Sequence, residues 1–132
     1  MARKIFVNLP VADLPRSMAF WRALGFDFNP DYPDETAACL VISEDIFAMI
    51  MTREKFGDFA LKPVVDAHVS SEVLIAFSVE TRADVDRIAD AALANGGKQP
   101  RDAQDHGFMY YRPMEDLDGH ICEVACFPEQ PA

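Results

Sequence analysis

Two stretches of the chain run through the same order of apolar and polar positions. The first opens with a strand-like run, Ile5 to Leu9, and Pro10 fits only the end or edge of such a strand. Asp13 offers a helix N-cap, with Pro15 tolerated in the first turn. Leu14, Met18 and Trp21 then recur at i, i+4 and i+7, with Phe20 and Leu24 beside them, which predicts a helix. Gly25 stands where a helix C′ glycine belongs. Phe26 to Asn29, Ala37 to Ile42 and Ile46 to Met51 read as three strands, the last two parted by the polar break Ser43–Asp45.

The second stretch repeats the order. Val73 to Val79 is an apolar run, and Thr81 with Asp84 resembles a capping box. Val85, Ile88, Ala89, Ala92 and Leu93 follow at helical spacing, and Gly96-Gly97 closes the helix. Short strands are predicted around Lys98 to Arg101, Phe108 to Arg112 and His120 to Phe127, with Asp118-Gly119 turning into the last. The chain thus reads as β-α-β-β-β twice, a unit of roughly 50 residues. The units are predicted over 1–52 and 72–128. The segment 53–71 between them, with Phe56, Phe59, Pro63 and His68, is too apolar for a free tether and should pack as a linker or lid.

Composition narrows the class. The chain has 132 residues, half of them hydrophobic and 26% charged, which describes a globular domain. Its net charge of −10 leaves no basic footprint for nucleic acid or for an anionic membrane surface. Cys39, Cys122 and Cys126 show no CxxC spacing, so reduced, buried thiols in a cytoplasmic setting are expected. Asn8, Pro10 and Asp13 interrupt the apolar residues after Arg3 and Lys4, and no stretch of about 20 apolar residues occurs, so neither a secretory leader nor a membrane span is expected. Dinucleotide, phosphate-loop, serine-hydrolase and HExxH motifs are absent from the sequence.

The doubled unit, opening on LPVADLPRSMAFWRALGFDF and closing on RPMEDLDGHICEV, resembles the vicinal oxygen chelate superfamily of glyoxalases, bleomycin- and fosfomycin-resistance proteins and extradiol dioxygenases. The resemblance spans Lys4 to Phe127, as a single domain of that superfamily. It implies an α+β fold in which two βαβββ repeats form curled half-barrel sheets around a cavity, commonly in homodimers. It also implies a divalent metal held by the first and last strand of each unit. Carried over residue by residue, those positions are Phe6 and Met49 in the first unit and Leu74 and Glu123 in the second. Asn8 lies two residues from Phe6, on the same strand face. Only Glu123 matches a ligand type, and one carboxylate does not hold a catalytic divalent ion. No metal and no other cofactor is expected.

Glu123 is the sharpest chemical candidate. An apolar cavity around it would favour its neutral form and let it act as an acid or base. The alternative is a carboxylate bonded to a neighbouring Tyr or Arg. His106, in the Gln104–Arg112 cluster, is a candidate for assisting proton transfer, or else caps backbone groups. Tyr110 and Arg112 share one face of their strand, Met109 and Tyr111 the other, and one of these faces should line the cavity. Phe6, Asn8, Met49, Leu74, Phe56, Phe59, Tyr110 and Arg112 form the candidate ligand-binding set. The Met and Phe residues suit an adaptable apolar pocket, or ordinary core. His120 is expected to hold the last turn and His68 to be bland surface. Two functions follow: a metal-free module binding a small, partly apolar molecule, or a glyoxalase-like lyase or isomerase in which Glu123, with His106 as a candidate assistant, transfers a proton with or without a divalent metal.

Overall fold

The computed structural model describes residues 3–31 and 35–127. The chain divides into two compact units, Met1–Val65 and Asp66–Ala132. Unit 1 holds β1 (Ile5–Val11), α1 (Leu14–Ala23), β2 (Asp27–Phe28), β3 (Ala37–Val41), β4 (Ile46–Thr52) and α2 (Arg53–Ala60). Unit 2 holds β5 (Ile75–Ser78), α3 (Arg82–Ala94), β6 (Gln104–Asp105), β7 (Tyr110–Glu115) and β8 (Ile121–Cys126).

Each unit carries one four-stranded sheet, and the two sheets share a topology. The orders are β1-β4-β3-β2 and β5-β8-β7-β6. In both, the first strand runs parallel to the last and the remaining pairs are antiparallel. The βαβββ repeat is therefore real at the level of hydrogen bonding. Register carries the equivalence further. Asn8 faces Met49 in unit 1, and Ala76 faces Glu123 in unit 2.

The helices form where caps and apolar spacing agree. The Asp13 carboxylate accepts from the Arg16 N–H at 3.1 Å, and the Thr81 hydroxyl accepts from the Asp84 N–H at 3.1 Å. Each satisfies one of the N-terminal donors a helix leaves unpaired. α1 buries Leu14, Ser17, Phe20 and Trp21, and α3 buries Val85, Ile88, Ala89 and Ala92. Each helix packs on one face of its own sheet. In unit 1 that face presents Leu9, Val11, Leu40 and Ile50, and in unit 2 Met114, Val124 and Cys126, all buried. Burying a side chain the size of Ile88 contributes roughly 1.5–3 kcal/mol.

Three expectations change. The segment after Thr52 is not a plain linker, because α2 occupies its first part. The Thr52 hydroxyl caps it by accepting from the Lys55 N–H at 3.2 Å. The Arg53 guanidinium donates to the carbonyls of Val64 and Val65, both at 3.3 Å, which draws the following loop back onto unit 1. The run Lys98 to Arg101 is not a strand. Only Lys98 pairs, with Glu115, and the ladder resumes at Gln104 and Asp105. The strand expected from Phe108 starts instead at Tyr110.

Candidate functional site

With a helix on one face of each sheet, alternation along the strands assigns the other face. In unit 2 that face carries Ala76 and Ser78 of β5, Tyr111 of β7, and Glu123 and Ala125 of β8. These side chains, with Met109, line a hollow of about 420 Å³ that also takes in Phe127. Its walls are mostly apolar, with a few polar groups at fixed places, as in small-molecule sites.

Glu123 is the charged residue lining this hollow, and it is not surrounded by apolar groups alone. Arg101, from the loop before β6, donates through Nη2 to Glu123 Oε2 at 2.9 Å and to the Tyr111 hydroxyl at 2.6 Å. The guanidinium also lies 5.3 Å from the centre of the Tyr111 ring. The Glu123 side chain is 22% exposed, against 55% for Arg101. Glu123 is thus the inner partner and Arg101 the outer one. Of the two readings left open by the sequence, the structure realises the carboxylate bonded to a neighbouring Arg. Sequence reasoning missed Arg101, because 22 residues separate it from Glu123 and no local pattern links them.

His106 stands beside this group without bonding to Glu123. Its ring stacks against Tyr111 at 6.3 Å and Phe108 at 6.2 Å between centroids. The loop that presents it is tightly fixed. Asp105 accepts two hydrogen bonds from the Arg82 guanidinium, at 2.8 and 2.9 Å, and one from the Gly107 N–H at 2.9 Å. These bonds, Arg82 first, hold the Asp105 carboxyl down at about 2. Gly107 has φ +81, which suits glycine in that turn.

Tyr110 and Arg112 occupy the opposite face and meet α3. The Tyr110 hydroxyl donates to Asp86 at 2.6 Å. Arg112 pairs with Asp86 at 3.1 Å and Asp90 at 2.9 Å, and donates through Nε and Nη2 to Gln99 at 3.1 and 2.8 Å. Burial, helped by the Asp86 bond, pushes the Tyr110 phenol up. As placed here, both residues lash β7 to α3, and their neighbours Met109 and Tyr111 take the hollow side.

Unit 1 brings together another part of the candidate set. Asn8, Met51, Phe56, Phe59 and Ala60 line a second hollow, of about 500 Å³, under α2. Phe6 stacks on Phe47 at 4.9 Å, with the rings 12° from parallel. Met49 is half-buried in β4, and the Asn8 side chain donates to the Phe6 carbonyl at 3.2 Å. Leu74 lies just before β5 and is 56% exposed.

The last turn has its own buried acid. Asp116 is 6% exposed, and its Oδ1 accepts from the N–H groups of Asp118 and His120, both at 2.9 Å. Burial pushes its carboxyl up to about 6, against the attraction of His120. Cys122 is also buried, and its thiol is pushed up to about 12 by burial and then by Asp116. The Cys122 thiol is therefore not a poised nucleophile.

Comparison with known proteins agrees with this architecture. Residues 3–43 match a family model described as bleomycin resistance protein-like N-terminal. The hypothetical protein SA1046 of S. aureus is 25% identical, with a TM-score of 0.81 over 96% of this chain and 95% of that one. A glyoxalase/bleomycin resistance protein/dioxygenase family enzyme from Burkholderia phytofirmans is 16% identical, with a TM-score of 0.75 over 96% and 99%. The fosfomycin resistance protein FosX of Mesorhizobium loti is 20% identical, with a TM-score of 0.63 over 96% and 90%. No curated protein matches the sequence. Fold and opening segment both agree with the resemblance to the vicinal oxygen chelate superfamily that the two motifs carry.

The metal that this superfamily implies does not fit the residues present. Phe6, Met49 and Leu74 offer no hard donor, and the Glu123 carboxylate is already engaged by Arg101. Among the described residues no three His, Cys, Asp or Glu side chains come together.

Proposed function

We propose that the protein binds a small, partly apolar molecule in the hollow of unit 2, without the superfamily's full metal site. The observation that carries this reading is the hollow itself. Its mostly apolar walls include a polar station, Glu123 and Tyr111, to which Arg101 bonds. Such a station fixes the orientation of a ligand whose bulk is held by apolar contact. Met109 and Phe127 add adaptable and aromatic surface to those walls. The proposal takes the chain as a homodimer in a reducing compartment, and the three buried free thiols support the latter. No described helix is long and apolar enough to cross a membrane.

The test is a melting-temperature screen against small amphiphilic molecules, repeated on Ser78→Trp. Ser78 is exposed and lines the hollow, so an indole there takes up part of its space without replacing a core side chain. A ligand of the native state raises the midpoint by mass action, about 2.7 kcal/mol at a hundredfold excess over Kd. The expected result is a shift in the wild type that Ser78→Trp removes. Equal shifts in both proteins place the ligand elsewhere and overturn the reading.

A second reading makes the chain a glyoxalase-like lyase or isomerase, with Glu123 moving a proton and His106 assisting. One observation favours it. Glu123 commits only Oε2 to Arg101, and Oε1 has no hydrogen-bond partner among the described residues. This reading predicts turnover that Glu123→Gln abolishes while the melting temperature stays unchanged.

A further inference from the structure

Two residues that line the hollow of unit 2, Glu123 and Tyr111, are both bonded to one cation, Arg101. Arg101 offers five N–H donors, and its hydrogen bonds within the described residues all leave from Nη2. Among the described residues Nε and Nη1 have no hydrogen-bond partner, on a side chain that is 55% exposed. Three features hold the guanidinium in place: the Glu123 carboxylate, the Tyr111 hydroxyl and the face of the Tyr111 ring. His106 and Phe108 extend that aromatic surface outward from Tyr111. A flexible arginine loses much of its binding advantage to side-chain entropy, and one already pinned does not.

We propose that Arg101 is the anion-recognition group of this hollow, and that the ligand is an apolar, preferably aromatic, body carrying a carboxylate. This rests on the binding reading above and names its ligand class. The planar fork of a guanidinium matches a carboxylate through two N–H groups, in charge-assisted bonds about twice as strong as neutral ones. The mostly apolar walls take the body. Glu123 has two effects on such a ligand. It anchors Arg101, and it competes with the incoming carboxylate for the same positive charge.

That competition makes the test sharp. Phenylacetate and its uncharged counterpart phenylethanol are titrated into the protein and followed by the backbone amide resonances of Met109, Tyr111 and Ala125. The acid is expected to shift these resonances with an affinity about tenfold above that of the alcohol. Arg101→Gln is expected to erase that difference, and Arg101→Lys to restore part of it. Glu123→Gln is expected to tighten the acid severalfold and leave the alcohol unchanged. Equal affinity of acid and alcohol, unmoved by Arg101→Gln, overturns the inference and leaves the binding reading standing. Failure of both molecules to move the three amides sinks the binding reading with it.

Discussion

Replacing Asp116 with Asn should flatten the pH dependence of stability between about pH 4 and pH 7. Burial lifts the Asp116 carboxyl from its ordinary 3.8 to about 6, and His120 only partly opposes this. The native state therefore keeps a proton that the unfolded chain releases near pH 4. The stabilisation is complete below that pH and is lost as the pH rises to about 6. Two units at about 1.4 kcal/mol each make this a loss of about 3 kcal/mol. Asn preserves the local geometry, because both turn N–H groups, from Asp118 and His120, bond to the same oxygen, Oδ1. Urea unfolding of wild type and variant at about pH 4 and about pH 7 gives the double difference. The variant should gain about 3 kcal/mol on the wild type over that interval. The low value of Asp105 acts in the opposite sense, but below its ordinary 3.8 and so outside the window. Parallel profiles for the two proteins, or a wild type that gains on the variant as the pH rises, would refute the reasoning.

Other perturbations test the framework around the site. Gly119 has φ +88, and a Cβ there would lie 2.5 Å from the His68 nitrogen and 2.6 Å from the Ala67 carbonyl carbon. Gly119→Ala should therefore cost at least about 2 kcal/mol by chemical denaturation, and a neutral result would mean that the turn is not so confined. Cys39, Cys122 and Cys126 are all buried, so a thiol reagent near pH 8 should label them only as fast as the protein opens. Rapid labelling of any of the three would contradict their placement. Arg82→Ala removes the two-bond clamp on Asp105 and should speed hydrogen exchange at the Gly107 amide, with the melting temperature little changed. An unchanged exchange rate would show that Gly107 is held by something else.

Much of the fold was legible because local signals and global topology agree in this chain. Asp13 and Thr81 sit before apolar runs at helical spacing, and both prove to be N-caps. Gly25 and Gly96 take the positive φ that follows a helix. α2 was hidden because its signal is weak. It has eight residues, includes Gly57 and buries none of its side chains, so no apolar stripe marks it. The strand start at Tyr110 was masked by Phe108, an aromatic residue that stays 64% exposed outside the ladder.

The site was only half legible. Glu123 is singled out by the resemblance, three residues after His120 of the DGH turn, and the structure puts it in the lining of a hollow. Alternation also predicted that Tyr110 and Arg112 would part from Met109 and Tyr111. Which pair faces α3 depends on Asp86, Asp90 and Gln99, and strand periodicity carries no information about those partners. Arg101 belongs to the same class of blindness. It is a loop residue whose importance comes from a carboxylate on another strand.

The most direct test of the account is the effect of divalent metal on the purified protein. Metal content is measured together with the melting shift on adding Zn²⁺, Ni²⁺, Mn²⁺ or Fe²⁺, in the wild type and in Glu123→Gln. The account predicts that any shift is the same in the two proteins, because Arg101 already occupies the Glu123 carboxylate. One tightly bound ion per chain, with a melting shift that Glu123→Gln abolishes, would contradict it.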